Sequence, residues 1–88
     1  MNSIWKIEFD PRARAEFASL DRTIQKHIVK FIEQLKHDPR RHGASLRGET
    51  LGDYWKYRVG DYRLVADIRD KNFVVLIIAI GHRSDVYR

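Results

Sequence analysis

The apolar positions of this chain alternate near its start, recur every three to four residues through the rest of its first half, and alternate again in its second half. Residues 4 to 9, IWKIEF, set Ile4, Ile7 and Phe9 among polar neighbours in imperfect alternation, as a short strand does, and the segment ends at Asp10-Pro11. Aspartate there offers an N-cap and proline suits the first helical position, so a helix is predicted to open at residue 11. Over 11 to 20, Ala15, Phe17 and Leu20 can face inward as a short helix. Asp21 is then placed to cap a longer helix of about 17 residues. On it Ile24, Ile28, Phe31, Ile32 and Leu35 recur at three- and four-residue spacing, an apolar stripe suited to lie on a sheet, with Lys26, Lys30, Glu33 and Lys36 outside. The two form a helical hairpin. DPRRHG at 38 to 43 ends it with a proline and a glycine and leads into the loop ASLRGETLGD.

From residue 54 the period falls to two. Gly60-Asp61 is a two-residue hairpin signal with glycine first, as a type II′ turn needs, so Val59 is predicted to pair with Tyr62, Arg58 with Arg63 and Lys56 with Val65. Trp55, Tyr57 and Val59 then share a face with Tyr62, Leu64, Ala66 and Ile68, which packs on the helices. The opposite face carries Tyr54, Lys56, Arg58, Arg63, Val65 and Asp67. A second turn near Asp70 to Asn72 returns the chain through FVVLIIAIG, apolar on both faces and therefore a central strand between the 62–69 strand and the first strand. An even hairpin there places Ile78, Ile80 and His82 on the basic face, and a three-residue turn would reverse that parity. The expected fold class is α+β, in the order β-α-α-β-β-β, with a two-helix hairpin packed on one face of a mainly antiparallel four-stranded sheet.

Composition narrows the class. Eighty-eight residues make a single domain spanning 1–88, and 43% apolar with 33% charged residues describes a folded chain rather than a disordered one. The absence of cysteine excludes a disulfide framework and a thiolate metal site, and fits a reducing compartment. Met1 leads directly into strand-like residues and the longest apolar run, FVVLIIAI, is too short to span a bilayer, so the expectation is a cytoplasmic protein with no membrane partner. His27 lies on a helix and His37 and His42 flank its end without ligand spacing, so neither a metal nor another cofactor is expected. Ser84, His82 and Asp85 are too close in sequence to converge as a nucleophilic triad.

A formal net charge of +5 favours an anionic partner, nucleic acid before an acidic protein. Lys56, Arg58, Arg63 and Arg83 on one face would bind phosphates, and Tyr54, Tyr87 and His82 could stack on or hydrogen-bond with unpaired bases. Binding alone would account for them. Cleavage is open to the same groups, because a ribose 2′-hydroxyl attacks its own phosphate once one group removes its proton, another stabilises the added charge and a third protonates the departing 5′-oxygen. Arginine supplies fixed donors for such a transition state, and a lysine crowded by other cations gives up its proton more readily. No metal is obligatory.

LRG at 46 to 48, WKYRVGDYRLV at 55 to 65 and GHRSDVY at 81 to 87, in a β-α-α-β-β-β chain, resemble the RelE/ParE superfamily of bacterial and archaeal toxins. The resemblance implies a single RelE-like domain, the toxin of a type II toxin-antitoxin system. In the RelE branch it implies metal-independent cleavage of messenger RNA in the A site of a 70S-type ribosome. The implied protein partner is a cognate antitoxin, through which alone operator DNA would be contacted. By position, the resemblance makes Lys56 the general base, Arg63 the holder of the scissile phosphate, Arg83 the support of the leaving group and Tyr87 the residue that stacks on or orients substrate. Arg58 falls where the family often has a second lysine, which keeps charge but excludes base catalysis there. His82 precedes Arg83, so the leaving-group acid is either of the two. The expected catalytic set is Lys56, Arg63, Arg83 and Tyr87, with Arg58, His82 and Tyr54 binding substrate. Two other classes compete with it: a ParE-like inhibitor of DNA gyrase without nuclease activity, and a non-catalytic RNA-binding or antitoxin-binding module. Retention of Lys56, Arg63, Arg83 and Tyr87 favours the nuclease.

Overall fold

The structure, a computed structural model, describes residues 4–45 and 54–82. Its elements are β1 (Lys6–Phe9), α1 (Pro11–Ala18), α2 (Arg22–Leu35), β2 (Ala44–Ser45), β3 (Tyr54–Val59), β4 (Tyr62–Arg69), a 3₁₀ turn (Asp70–Asn72) and β5 (Val74–His82). The strands form one sheet in the order β1-β5-β4-β3-β2, with β1 parallel to β5 and every other pair antiparallel. The α+β class and the central position of the last strand follow the sequence. The sheet has five strands rather than four, because Ala44 and Ser45, read as loop, pair with Lys56 and Trp55.

The Asp10 carboxylate accepts the Ala13 N–H at 2.8 Å with Pro11 behind it, the cap that the sequence indicates. Asp21 caps α2 differently: its side chain makes no cap hydrogen bond, and only its carbonyl accepts, from Gln25 N at 2.9 Å. Both helices are shorter than the apolar spacing suggests, α1 ending at Ala18 and α2 running 14 residues. On α1 the fully buried alanine is Ala13, while Ala15 is exposed. Ile28, Ile32 and Leu35 of α2 join Tyr57, Leu64, Ala66, Val75, Ile77 and Ile80 of the sheet in one core. Each buried Ile, Leu or Val among them contributes about 1.5–3 kcal/mol by leaving water.

The β3–β4 register is the expected one, with Val59 opposite Tyr62, Arg58 opposite Arg63 and Lys56 opposite Val65. Gly60 has φ +60° and Asp61 does not share its sign, as a II′ turn requires. The β4–β5 hairpin is also even, starting with Arg69 opposite Val74, but the ladder then slips. Val65 faces Ala79 and Ala66 faces Ile77, so Ile78 is an extra residue in β5. This β-bulge reverses the parity of everything after it. Ile80, expected on the basic face, is buried in the core opposite Leu64, and His82 pairs with Tyr62 on the helix-side parity.

The connection from α2 to β2 is tied to the sheet at two points and to the 3₁₀ turn at a third. The Tyr57 hydroxyl donates to the Pro39 carbonyl at 2.7 Å, and Trp55 Nε1 donates to the His42 carbonyl at 2.7 Å. Arg40 makes a bidentate pair with Asp70 at 2.8 and 2.9 Å. Gly43 follows with φ +77°, and a Cβ there would overlap the Lys56 carbonyl. Only glycine fits this close approach.

Candidate nucleic-acid interface and active site

Alternation along β3 and β4 sets Lys56, Arg58 and Arg63 on the sheet face turned away from the helices, while Tyr57 and Leu64 between them are buried in the core. β2 walls this face from the side, since Ala44 pairs with Lys56. The result is a cleft of about 220 Å³ lined by Gly43, Ala44, Lys56, Tyr57, Arg58 and Arg63. It is single-signed. Arg58 is exposed and Arg63 half-buried, and one terminal guanidinium nitrogen of Arg63, Nη1, is buried with no hydrogen-bond partner among the described residues. A buried cationic donor without an acceptor is costly, and a phosphate oxygen would relieve it. Its planar fork also suits two oxygens of one phosphate.

Beyond Arg63 the floor of this face is small: Gly81 lies opposite Arg63 and Ala79 opposite Val65. Tyr54 stands at the start of β3, on the same face as Lys56 but outside the residues that line the cleft. His82 is not brought to Arg63. Its ring meets Tyr62 edge-on with centroids 5.7 Å apart. Arg83 and Tyr87 lie outside the described residues. Lys56, Arg58 and Arg63 are thus the expected site residues that the structure gathers.

Gly43, Ala44, Ala79 and Gly81 shape the site without having been singled out from the sequence. The HG step at 42 to 43 was legible only as a turn, and nothing in its composition announces that it returns against β3. A larger cavity of about 600 Å³ lies between β1, α1 and α2, where Ile7, Phe9, Phe17 and Ile32 mix with Arg14 and Glu33. Its mixed charges and apolar walls lack the cationic field a phosphodiester needs. Among the described residues no three His, Cys, Asp or Glu side chains gather as a metal-binding group, and no helix is long and apolar enough to cross a membrane.

Residues 7–87 match the family model described as the ParE toxin of the type II toxin-antitoxin system parDE. The chain is 34% identical over 85 residues to the toxin RelG of Mycobacterium tuberculosis, an overlap of 96% of this chain and 97% of RelG. It is 34% identical over 83 residues to the mRNA interferase toxin RelE of Escherichia coli, covering 92% of this chain and 87% of that one. The toxin-antitoxin complex RelBE2 of Mycobacterium tuberculosis contains a chain that superposes with a TM-score of 0.82 at 31% identity, covering 97% of this chain and 98% of that chain.

Proposed function

The chain belongs to the RelE/ParE toxin superfamily of type II toxin-antitoxin systems, and from that premise we propose that it is an mRNA interferase, an endoribonuclease acting on messenger RNA in the ribosomal A site. The observation that carries the reading is Nη1 of Arg63, buried and without a hydrogen-bond partner among the described residues, in a cleft shared with Arg58 and Lys56. In this reading Arg63 grips the scissile phosphate and Arg58 adds charge at its rim. Lys56 takes the proton of the ribose 2′-hydroxyl, whose oxygen forms a bond to phosphorus as the bond from phosphorus to the 5′-oxygen breaks. The departing oxygen is protonated, with Arg83 or His82 beside it, and Tyr87 orients the substrate. His82 is the weaker of the two because its pairing with Tyr62 directs it from Arg63. Fixed donors at the developing phosphorane charge supply the main acceleration. The products are a 2′,3′-cyclic phosphate and a 5′-hydroxyl, and the step needs no redox partner.

The proposed setting is the cytoplasm, with a cognate antitoxin as protein partner, the ribosome and its messenger as target, and operator DNA reached only through the antitoxin. The ParE match also supports a second reading, inhibition of DNA gyrase, in which the basic face would cut nothing. One experiment separates them. The protein is expressed in a translation extract, cuts in the messenger are mapped by primer extension, and gyrase supercoiling is assayed in parallel. Cuts in translated messenger with gyrase unaffected are the expected result; inhibited gyrase with intact messenger would overturn the nuclease.

A further inference from the structure

β1 accompanies β5 only as far as Phe9, which lies opposite Ile77, and the Asp10 N–H closes that edge on the Ile77 carbonyl at 2.9 Å. β5 runs on to His82. Over residues 78 to 82 it therefore has β4 on one side and, among the described residues, no strand on the other. Helix α1 fills the gap. Glu16 Oε1 accepts the backbone N–H of Ile80 at 2.7 Å, across 64 residues of sequence. Its second oxygen, Oε2, accepts Arg12 Nε at 3.1 Å. The ion pair with Arg12 is an exposed i,i+4 contact of little energy, whereas a carboxylate on a half-buried backbone donor is a strong and directional one.

The contact falls just past the bulge at Ile78. Had the pairing of Arg69 with Val74 continued without a slip, Ile78 would stand beside Val65 and Ile80 beside Arg63. The slip puts Ala79 and Gly81 in those places and sends Ile80 into the core. On that face a methyl group and a hydrogen replace two branched side chains, at the positions opposite Val65 and Arg63. The competing register differs by one residue in a strand that is apolar on both faces, which is where register is least specified by pattern.

We propose that Glu16 is a positioning residue for the basic face: its carboxylate holds β5 in the slipped register and so keeps the space beside Arg63 open for a phosphate. The proposal rests on the reading of that face as a phosphodiester site. Glu16 sits on a helix in the opposite layer, so it acts through Ile80 and the strand rather than on the substrate.

The test uses the full chain as wild type, Glu16→Ala, Glu16→Gln, Arg12→Ala and Arg63→Ala. Amide resonances and hydrogen exchange are followed at Ile80 and Gly81, inorganic phosphate is titrated with the Gly81 amide as reporter, and messenger cleavage is measured on programmed ribosomes. Glu16→Ala is expected to speed exchange at Ile80 about tenfold or more by freeing a protected edge donor. It should shift the Gly81 amide and weaken phosphate binding and cleavage, by up to about 100-fold if the site is displaced by an ångström. Glu16→Gln keeps a carbonyl acceptor and should restore most of both, and Arg12→Ala should match wild type. If Glu16→Ala fails to fold, Glu16→Asp, too short to reach Ile80, carries the same expectations. Unchanged Ile80 and Gly81 amides in the alanine variant, unchanged phosphate affinity alongside a freed Ile80, or failure of glutamine to rescue would each overturn the proposal. If Arg63→Ala leaves phosphate affinity and cleavage unchanged while Glu16→Ala frees Ile80 and shifts Gly81, the nuclease reading falls and the register clamp stands.

Discussion

Arg58 and Arg63 stand directly opposite each other across the β3–β4 ladder, two guanidinium groups at paired positions next to a tight turn. Like charges so placed destabilise a sheet by about 0.2–1 kcal/mol, and a solubility surface would avoid the arrangement. The pair is intelligible as a site that gains its second sign from a ligand.

Arg58→Gln is therefore expected to act in opposite directions on fold and function. Relief of the repulsion should leave thermal stability equal or higher by a few tenths of a kcal/mol. Cleavage should fall, more at low salt than at high, because a protein with one cation fewer releases fewer counterions and depends less steeply on salt. Melting curves and cleavage rates at two ionic strengths check both halves.

Gly43→Ala should destabilise the protein by about 1–3 kcal/mol or more, since the new Cβ meets both a positive φ and the Lys56 carbonyl. Moving the chain away from Lys56 would also open the wall of the cleft. Denaturant midpoints and cleavage should fall together, whereas Gly60→Ala, with open space around its Cβ, should change stability only through its φ of +60° and leave cleavage intact.

The Arg40–Asp70 pair predicts an acid limb. Hydrogen bonds from Arg40, first, and its charge hold the Asp70 carboxyl below the usual carboxylate range. A group whose folded pKa is depressed adds stability above its unfolded pKa and loses it as pH falls through the folded one. Wild type and Asp70→Asn should thus differ near neutrality and converge in acid, by a small amount because both side chains are exposed to solvent. Urea midpoints across pH measure this.

Cleavage by the proposed route needs the attacking hydroxyl. A messenger with deoxyribose at the scissile nucleotide should survive on the ribosome, and a chelator selective for transition metals, which leaves the ribosome's magnesium in place, should leave cutting of the all-ribose messenger unchanged. Sequencing-gel analysis of both substrates in the same extract reports the outcome.

How far the sequence reached depended on whether a pattern had one solution. Gly60-Asp61 admits a single hairpin geometry, so the pairing of Lys56, Arg58 and Arg63 was legible to the residue, as was the α2 stripe through Ile28, Ile32 and Leu35. FVVLIIAIG is apolar at every position of the alternation, so a one-residue slip at Ile78 leaves no trace in it. Ile80 and His82 were consequently assigned to the wrong face. β2 is two residues long, too short to show a period, and its role as a wall depends on Gly43 and on hydrogen bonds from Trp55 and Tyr57 that sequence does not display. Glu16 is unmarked in the sequence. Its partner is a backbone group, which carries no residue-type signal.

The measurement that bears most directly on the account is single-turnover cleavage of A-site messenger on programmed ribosomes by wild type and by Arg63→Ala. Removing one preorganised donor to the transition state should lower the rate about 100-fold or more, with folding unchanged by circular dichroism. A folded Arg63→Ala protein that cuts at the wild-type rate would contradict the assignment of this face as the active site.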